Sequence, residues 1–331
     1  MDNKIKAINR RKFVLGTGAL VVGAASPAFA QTAYPTRPVH FIVPSGAGSG
    51  TDIITRILSD KLSRKWGQPV VVENRAGASG LIGTQFTAQS PPDGYTLCMG
   101  FTGPLAASPA FLKTVSYDPL KDLAAITLVD SSPAVLVVTN SLPVNSVPEL
   151  IAYAKANPGV LTFGSAGQGT IGHVSGELFN QKAGTKMLHV PYKDVSQAVT
   201  DVVGGHLKVL FHVAPALLPL AKAGQVRALG VTSLKKWALT PDLPSIAEAG
   251  LPGYEASVWH GVVAAGGTPQ WLVDKLHQDI VGVMRTDDVR EQFTKQWIEP
   301  LGTTPDEFKT FMKSELENYV KVAENTPPEQ H

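Results

Sequence analysis

Val39-His40-Phe41-Ile42-Val43-Pro44-Ser45-Gly46-Ala47-Gly48-Ser49-Gly50-Thr51-Asp52 carries an apolar strand through a run of small residues into a helix. Beyond the run, Ile53, Ile54, Ile57, Leu58 and Leu62 share one helical face. Arg56, Lys61, Arg64 and Lys65 mostly take the other, until Gly67 and Pro69 stop the helix. The pattern returns far downstream, where Val160-Leu161-Thr162-Phe163 runs into Gly164-Ser165-Ala166-Gly167-Gln168-Gly169-Thr170-Ile171-Gly172. Strands feeding helices through such turns make an α/β fold. A small-residue turn opening a helix also leaves unpaired N–H groups at the positive end of the helix dipole, a setting that suits an anion. Neither turn holds a lysine. Two such cradles, with no catalytic apparatus beside them, point to a protein that holds an acid reversibly.

Outward from these turns, the same alternation fills the chain. Val70 to Glu73 and Tyr95 to Met99 read as strands, Leu81 to Ala88 as a helix, and Pro91-Pro92-Asp93-Gly94 as a turn. Val135 to Val138, Val160 to Phe163, Lys186 to Val190, Lys208 to Phe211 and Arg227 to Val231 read as further strands. Gly184, Gly204-Gly205 and Gly224 close the intervening helices. Capping boxes are expected at Ser146-Val147-Pro148-Glu149 and Thr304-Pro305-Asp306-Glu307. Turn-rich stretches near Asp130-Ser131-Ser132-Pro133 and Leu251-Pro252-Gly253-Tyr254 divide the chain into a first lobe (31–131 and 254–331) and a second lobe (132–253). Two strand-like crossings between lobes are what a hinge requires.

Residues 1–30 read as an export signal. Lys4, Lys6, Arg10, Arg11 and Lys12 form a basic region, Phe13 to Ala25 a short apolar one, and Ala28-Phe29-Ala30 a cleavage site, so the mature chain begins at Gln31 in the periplasm. Asn9-Arg10-Arg11-Lys12-Phe13-Val14 fits a twin-arginine signal as well as a general-secretion one. Setting aside the five basic residues and one acidic residue of this segment leaves 24 Lys and Arg against 26 Asp and Glu. No basic footprint for nucleic acid or anionic lipid remains. A single cysteine, Cys98, in the apolar run Thr96 to Met99 reads as a buried, inert thiol and gives no disulfide framework.

The remaining motifs carry two readings each. Gly167-x-Gly169-x-x-Gly172, with Asp194 about twenty residues on, is formally a dinucleotide fingerprint, which keeps an exported nucleotide-dependent oxidoreductase as an alternative. The eight histidines show no metal-ligand spacing, so neither a metal nor a cofactor is expected. His173, in the first turn of the helix after the second loop, and His212, ending a strand, face a cleft at strand ends or serve as structural histidines. Asp52 caps the helix after the first loop or touches a ligand. Lys193 pairs with an anion or is solvated. Trp259-His260 walls the cleft or packs in the core.

Throughout its mature length the chain resembles a known family. The resemblance rests on Tyr34-Pro35-Thr36-Arg37-Pro38-Val39, Gly67-Gln68-Pro69-Val70-Val71-Val72-Glu73-Asn74-Arg75 and Pro92-Asp93-Gly94-Tyr95-Thr96-Leu97. It continues in Tyr117-Asp118-Pro119, His189-Val190-Pro191-Tyr192-Lys193, Leu243 to Tyr254 and Gly267-Thr268-Pro269. These blocks are similar to the periplasmic substrate-binding proteins of tripartite tricarboxylate transporters, the Bug family. The resemblance implies a two-lobed periplasmic binding protein of type II, a Venus flytrap of two α/β domains on a two-strand hinge. Such a protein is a monomer that performs no chemistry, closes on a small mono- or dicarboxylate and delivers it to a membrane permease. Service as the sensing partner of a two-component system is a second role compatible with the same fold. Carried onto this chain, the family's ligand contacts are Ser45, Gly46 and Ala47 in the first lobe, and Ser165, Ala166, Gly167, Thr170 and His173 in the second. Phe101 and Thr102 border the pocket, and His212 is added at the end of its strand. Ser45 and Ala47 depart from the aromatic and proline usual in the family's first loop, which implies a roomier or differently polar pocket. His212 stands where an acidic residue is common, which weakens the case for an amino-acid ligand. Asp194 replaces a usual glycine.

Overall fold

The computed structural model describes residues 34–112, 114–192 and 195–325. The expected export signal and the pair Lys193-Asp194 lie outside the described residues. The architecture below is that of the compact unit within Arg37–His331.

Among the described residues nine strands build one sheet: β1 (Val39–Val43), β2 (Val70–Asn74), β3 (Thr96–Phe101), β4 (Leu123–Thr139), β5 (Thr162–Ser165), β6 (Leu188–Pro191), β7 (Val209–Val213), β8 (Val226–Val231) and β9 (Ser257–Ala265). Their order is β2-β1-β3-β9-β4-β7-β5-β6, with β8 also paired to β4. In the first half of the sheet β1 is parallel to β2 and β3, and in the second half β5 is parallel to β6 and β7. β9 and β4 run antiparallel to their neighbours. The helices are α1 (Gly50–Trp66), α2 (Leu81–Ala88), α3 (Ser108–Phe111), α4 (Val147–Ala156), α5 (Ile171–Ala183), α6 (Val195–Gly204), α7 (Ala214–Lys222), α8 (Gln270–Met284), α9 (Asp287–Lys295) and α10 (Pro305–Glu324). None among the described residues is long and apolar enough to cross a membrane.

β4 joins the halves. Its 17 residues pair with β9 from Leu123 to Pro133, then with β7 and β8 from Ala134 to Thr139. The sequence reads Asp130 to Pro133 as turn-rich, yet the backbone there is extended. Cross-strand pairing with β9 overrides local turn preference, as sheet context commonly does. The same segment carries a buried pair, His260 Nδ1 and Asp130 Oδ1 2.8 Å apart on one rung of the ladder. The strand at Thr162 begins two residues later than its sequence pattern suggests, which makes Ser165 the last residue of β5.

Side-chain alternation along β4 explains why both faces are covered. Leu136 and Val138 enter a core with Phe163, Phe179, Phe211 and Tyr254, whereas Val135 and Val137 enter another with Leu210, Leu217 and Trp237. In the first half, Ile42, Cys98, Leu128, Val263, Phe308 and Trp259 pack together. Trp259 is fully buried, edge-on to Phe308 and Phe311, and its Nε1–H donates to Glu315 at 2.9 Å. It packs in the core and does not wall a cleft. Cys98 is sealed, and burial pushes its thiol up to about 12, which leaves it inert. Of the two expected capping boxes, Thr304–Glu307 is reciprocal. At Ser146 only one arm forms, because the Glu149 carboxylate takes the Asn145 N–H at 2.8 Å instead.

Candidate functional site

Parallel strands present their C-terminal ends together, and in open α/β sheets ligands bind there. β1 ends at the Pro44–Ser49 turn and β3 at Phe101; β5 ends at the Ala166–Thr170 turn and β7 at Val213. The two small-residue turns therefore stand at corresponding ends of the two sheet halves, with the β4 partner change between them.

The first turn is organised around Asp52. This buried carboxylate accepts the Gly48 N–H at 2.8 Å, Arg56 Nε at 3.0 Å and Asn74 Nδ2 at 2.9 Å. Burial opposes its ionisation, but the hydrogen bonds from Arg56, Gly48 and Asn74 prevail and hold it below the ordinary carboxylate range. Asp52 thus closes the turn from inside and is not a ligand contact. Ser49 caps α1, and its hydroxyl lies 2.7 Å from that of Ser45. Gly46 and Ala47 are exposed, and their N–H groups have no hydrogen-bond partner among the described residues.

The second turn is organised around two imidazoles. Ser165, only 1% exposed, places its Oγ 2.6 Å from His189 Nε2, accepts the Gly167 N–H at 3.0 Å and lies 3.1 Å from Gly167 O. These neighbours engage both the proton and the lone pairs of the buried hydroxyl, so Ser165 ties the turn together. Thr170 Oγ1 likewise donates to Gly167 O at 2.7 Å. His173 is buried, and its Nδ1 accepts the Gly169 N–H at 3.3 Å. Burial first, then the neighbouring His189, lowers its pKa to about 3, so the ring is neutral at physiological pH. The N–H groups of Ala166, Gln168, Ile171 and Gly172 remain without a partner among the described residues.

The segment after β3 joins the two turns. Phe101 packs on the Gly80 backbone, where a Cβ would come within 2.8 Å of its ring. The Thr102 hydroxyl donates to Ser257 O at 3.3 Å and accepts the Trp259 N–H at 2.9 Å. Thr102 therefore fastens β3 to β9. Further on, Ser108 presses against Gly169, with a Cβ at Gly169 falling 3.1 Å from both its N and its Oγ. That Oγ is sealed and has no hydrogen-bond partner. Phe111 meets His173 edge-on at 5.0 Å. His212 pairs in register with Val135 and is half-buried, its imidazole without a hydrogen bond among the described residues; burial lowers its pKa to about 4. No group of side chains suited to a metal ion occurs among the described residues.

A cradle of neutral peptide donors on each half of a doubly covered sheet suits capture of an anion. The model of the tripartite tricarboxylate transporter family receptor, TctC, matches residues 54–326. The chain belongs to this family of receptors. It is 36% identical to Protein BugT of Bordetella pertussis over 314 residues, covering 95% of this chain and 96% of that one. A protein of Pseudomonas sp. strain P51, described as a UPF0065 protein in the tcbD-tcbE intergenic region, is 37% identical over 95% of this chain and 94% of its own length. Among solved structures, R. palustris Rpa4515 with adipate is similar at a TM-score of 0.80 and 36% identity, over 88% of this chain and 97% of that one. MatC from Rhodopseudomonas palustris with bound malate is similar at 0.78 and 27% identity, over 88% of this chain and all of that one. The fold is thus the two-lobed α/β periplasmic binding-protein fold.

Two residues that brace the second turn were not picked out from sequence: His189 and Ser108. His189 stood only within a block of family resemblance, and its role depends on the long-range register Phe163↔His189 between β5 and β6. Ser108 shows no local signal, since its significance is contact with Gly169 across more than sixty residues.

Proposed function

We propose that the protein is a periplasmic solute-binding receptor that takes a small organic carboxylate between the two turns and delivers it to the membrane permease of a tripartite tricarboxylate-type transporter. The observation carrying this reading is the pair of turns whose free peptide N–H groups stand at the strand ends of the two sheet halves. Adipate and malate in two related proteins support a carboxylate guest. On this reading Gly46 and Ala47 donate from the first lobe, and Ala166 and Gln168 from the second. His212 contributes as a neutral hydrogen-bonding ring. The lobes 31–131 with 254–331, and 132–253, move about the β4 partner change.

The energetics require both lobes. Micromolar retention needs about 8 kcal/mol, whereas a helix terminus supplies about 0.3–1 kcal/mol and at most about 2. Charge-assisted hydrogen bonds worth about 1.5–3 kcal/mol each, several per carboxylate, close the gap once water is excluded. Closure is therefore part of the affinity. A melting-shift screen over mono-, di- and tricarboxylates tests the reading. A ligand at a hundred times its dissociation constant adds about 2.7 kcal/mol, a rise of about 4 °C for a chain of this size. A screen in which no carboxylate raises the melting temperature, while nucleotides or amino acids do, overturns it.

A further inference from the structure

The second turn rests on a column of four rings that crosses from one half of the molecule to the other. Phe163 of β5, His189 of β6, His173 of α5 and Phe111 at the end of α3 follow one another at centroid separations of 5.1, 4.6 and 5.0 Å. The two inner rings each hold one end of the turn. His189 Nε2 meets the Ser165 hydroxyl, which in turn receives the Gly167 N–H. His173 Nδ1 receives the Gly169 N–H. Between these two anchors lie Ala166, Gly167 and Gln168, whose peptide planes decide where the free N–H groups of Ala166 and Gln168 point. The outer ring, Phe111, belongs to the first half, and the adjacent Ser108 closes on Gly169 from the same side.

We propose that His189 and His173 are positioning residues that hold the second turn in its anion-accepting form, and that Phe111 extends this control to the first half of the sheet through its contact with His173. The donors offered to a guest are then set by side chains that need not touch it. A proton on Nδ1 of His173 would face the Gly169 N–H donor to donor, so the ring must carry its proton on Nε2. The lowered basicity of the buried ring keeps it neutral, with one nitrogen left to accept. At His189 the requirement is a polar atom within reach of Ser165 Oγ. Glutamine can supply one, whereas phenylalanine preserves only the stacking. The link to an anion rests on the function proposed above; the control of the turn does not.

The experiment therefore reads the ligand-free protein first. Amide hydrogen exchange at Gly167 and Gly169 is followed by NMR in the wild type, His189→Phe, His189→Gln, His173→Phe and Phe111→Leu. Expected results are at least tenfold faster exchange of Gly167 in His189→Phe, recovery of most of that loss in His189→Gln, and at least tenfold faster exchange of Gly169 in His173→Phe. Phe111→Leu gives about a threefold gain at Gly169. Imidazole nitrogen shifts of the wild type supply a readout that needs no variant to fold, and should show His173 with its proton on Nε2. Wild-type exchange rates in both phenylalanine variants, or a proton on His173 Nδ1, overturn the proposal. Adipate titration of the same proteins follows, with at least tenfold weaker binding expected in His189→Phe and His173→Phe. Adipate affinity equal to wild type in variants with loosened turns severs positioning from binding and overturns the proposal. Absence of adipate binding by the wild type counts against the adipate-like guest alone, because the exchange rates have already decided the role of the rings.

Discussion

The two turns solve one problem with opposite materials. The first is closed from within by a charge: Asp52 gathers Gly48, Arg56 and Asn74, and the exposed tip of the turn is left to solvent. The second is closed by neutral rings and by contact with the other half of the molecule, through Ser108 on Gly169 and Phe111 on His173. A turn braced by its own carboxylate is complete in one lobe. A turn braced across the molecule depends on the lobes being in register. The first turn should therefore behave as a fixed socket, and the second as the part that responds to closure.

The most disruptive test of this contrast is Gly169→Ala. Its φ of +73° strains any side chain there, and an added methyl group presses on Ser108 at 3.1 Å. Thermal or denaturant unfolding should show a loss of about 2–3 kcal/mol. Gly46→Ala, in the first turn with nothing within 4 Å of the added atom, should cost little.

The next test uses acid. His173 and His212 have pKa values lowered to about 3 and about 4, whereas the unfolded chain protonates histidine near 6.5. Below about pH 6.5 the unfolded state then binds protons that the folded state refuses, so stability is full above that value and falls as pH drops toward 4 and then 3. The slope reaches about 1.4 kcal/mol per pH unit for each ring. Asp52, lowered from the ordinary carboxylate value, contributes fully above about pH 4 and loses its contribution only below. Denaturation curves from pH 7 to 3 should lose part of their upper acid limb in His212→Gln. Asp52→Asn should alter only the lowest part, together with a pH-independent cost of about 1–2 kcal/mol.

Ala47→Pro sharpens the comparison on the binding side. It removes a free, exposed N–H from the first turn, and isothermal titration with the carboxylate identified by the melting screen should show about tenfold weaker binding with an unchanged melting temperature. The smallest effect belongs to Ser45→Ala, which loses only the contact to Ser49 Oγ. Stability should fall by less than about 1 kcal/mol and affinity by less than about threefold, since the donors are backbone groups.

Both turns were legible because a strand, a glycine-rich run and a helix are signalled by neighbours in sequence. The buried Cys98 followed from the same local rules, whereas the cap of α1 is Ser49, with Asp52 three residues inside the helix reaching back to the Gly48 N–H. β9, the extended course of Asp130 to Pro133 and the partners of Thr102 were not legible, since each is fixed by strands more than a hundred residues away. Ser165 and Thr170 have the right type for ligand contacts, and the folded register adds the partner their hydroxyls take within the turn, the Gly167 carbonyl.

β4 has a mechanical consequence. The halves are laced onto one ribbon of backbone, the 17-residue strand β4 that pairs first with β9 and then with β7 and β8. Hydrogen bonds lying across such a ribbon resist sliding and stretching, but tolerate torsion about its long axis. Opening should accordingly be a twist, like wringing a strap, which swings the tips of the turns through a large arc while the strand rungs keep their partners.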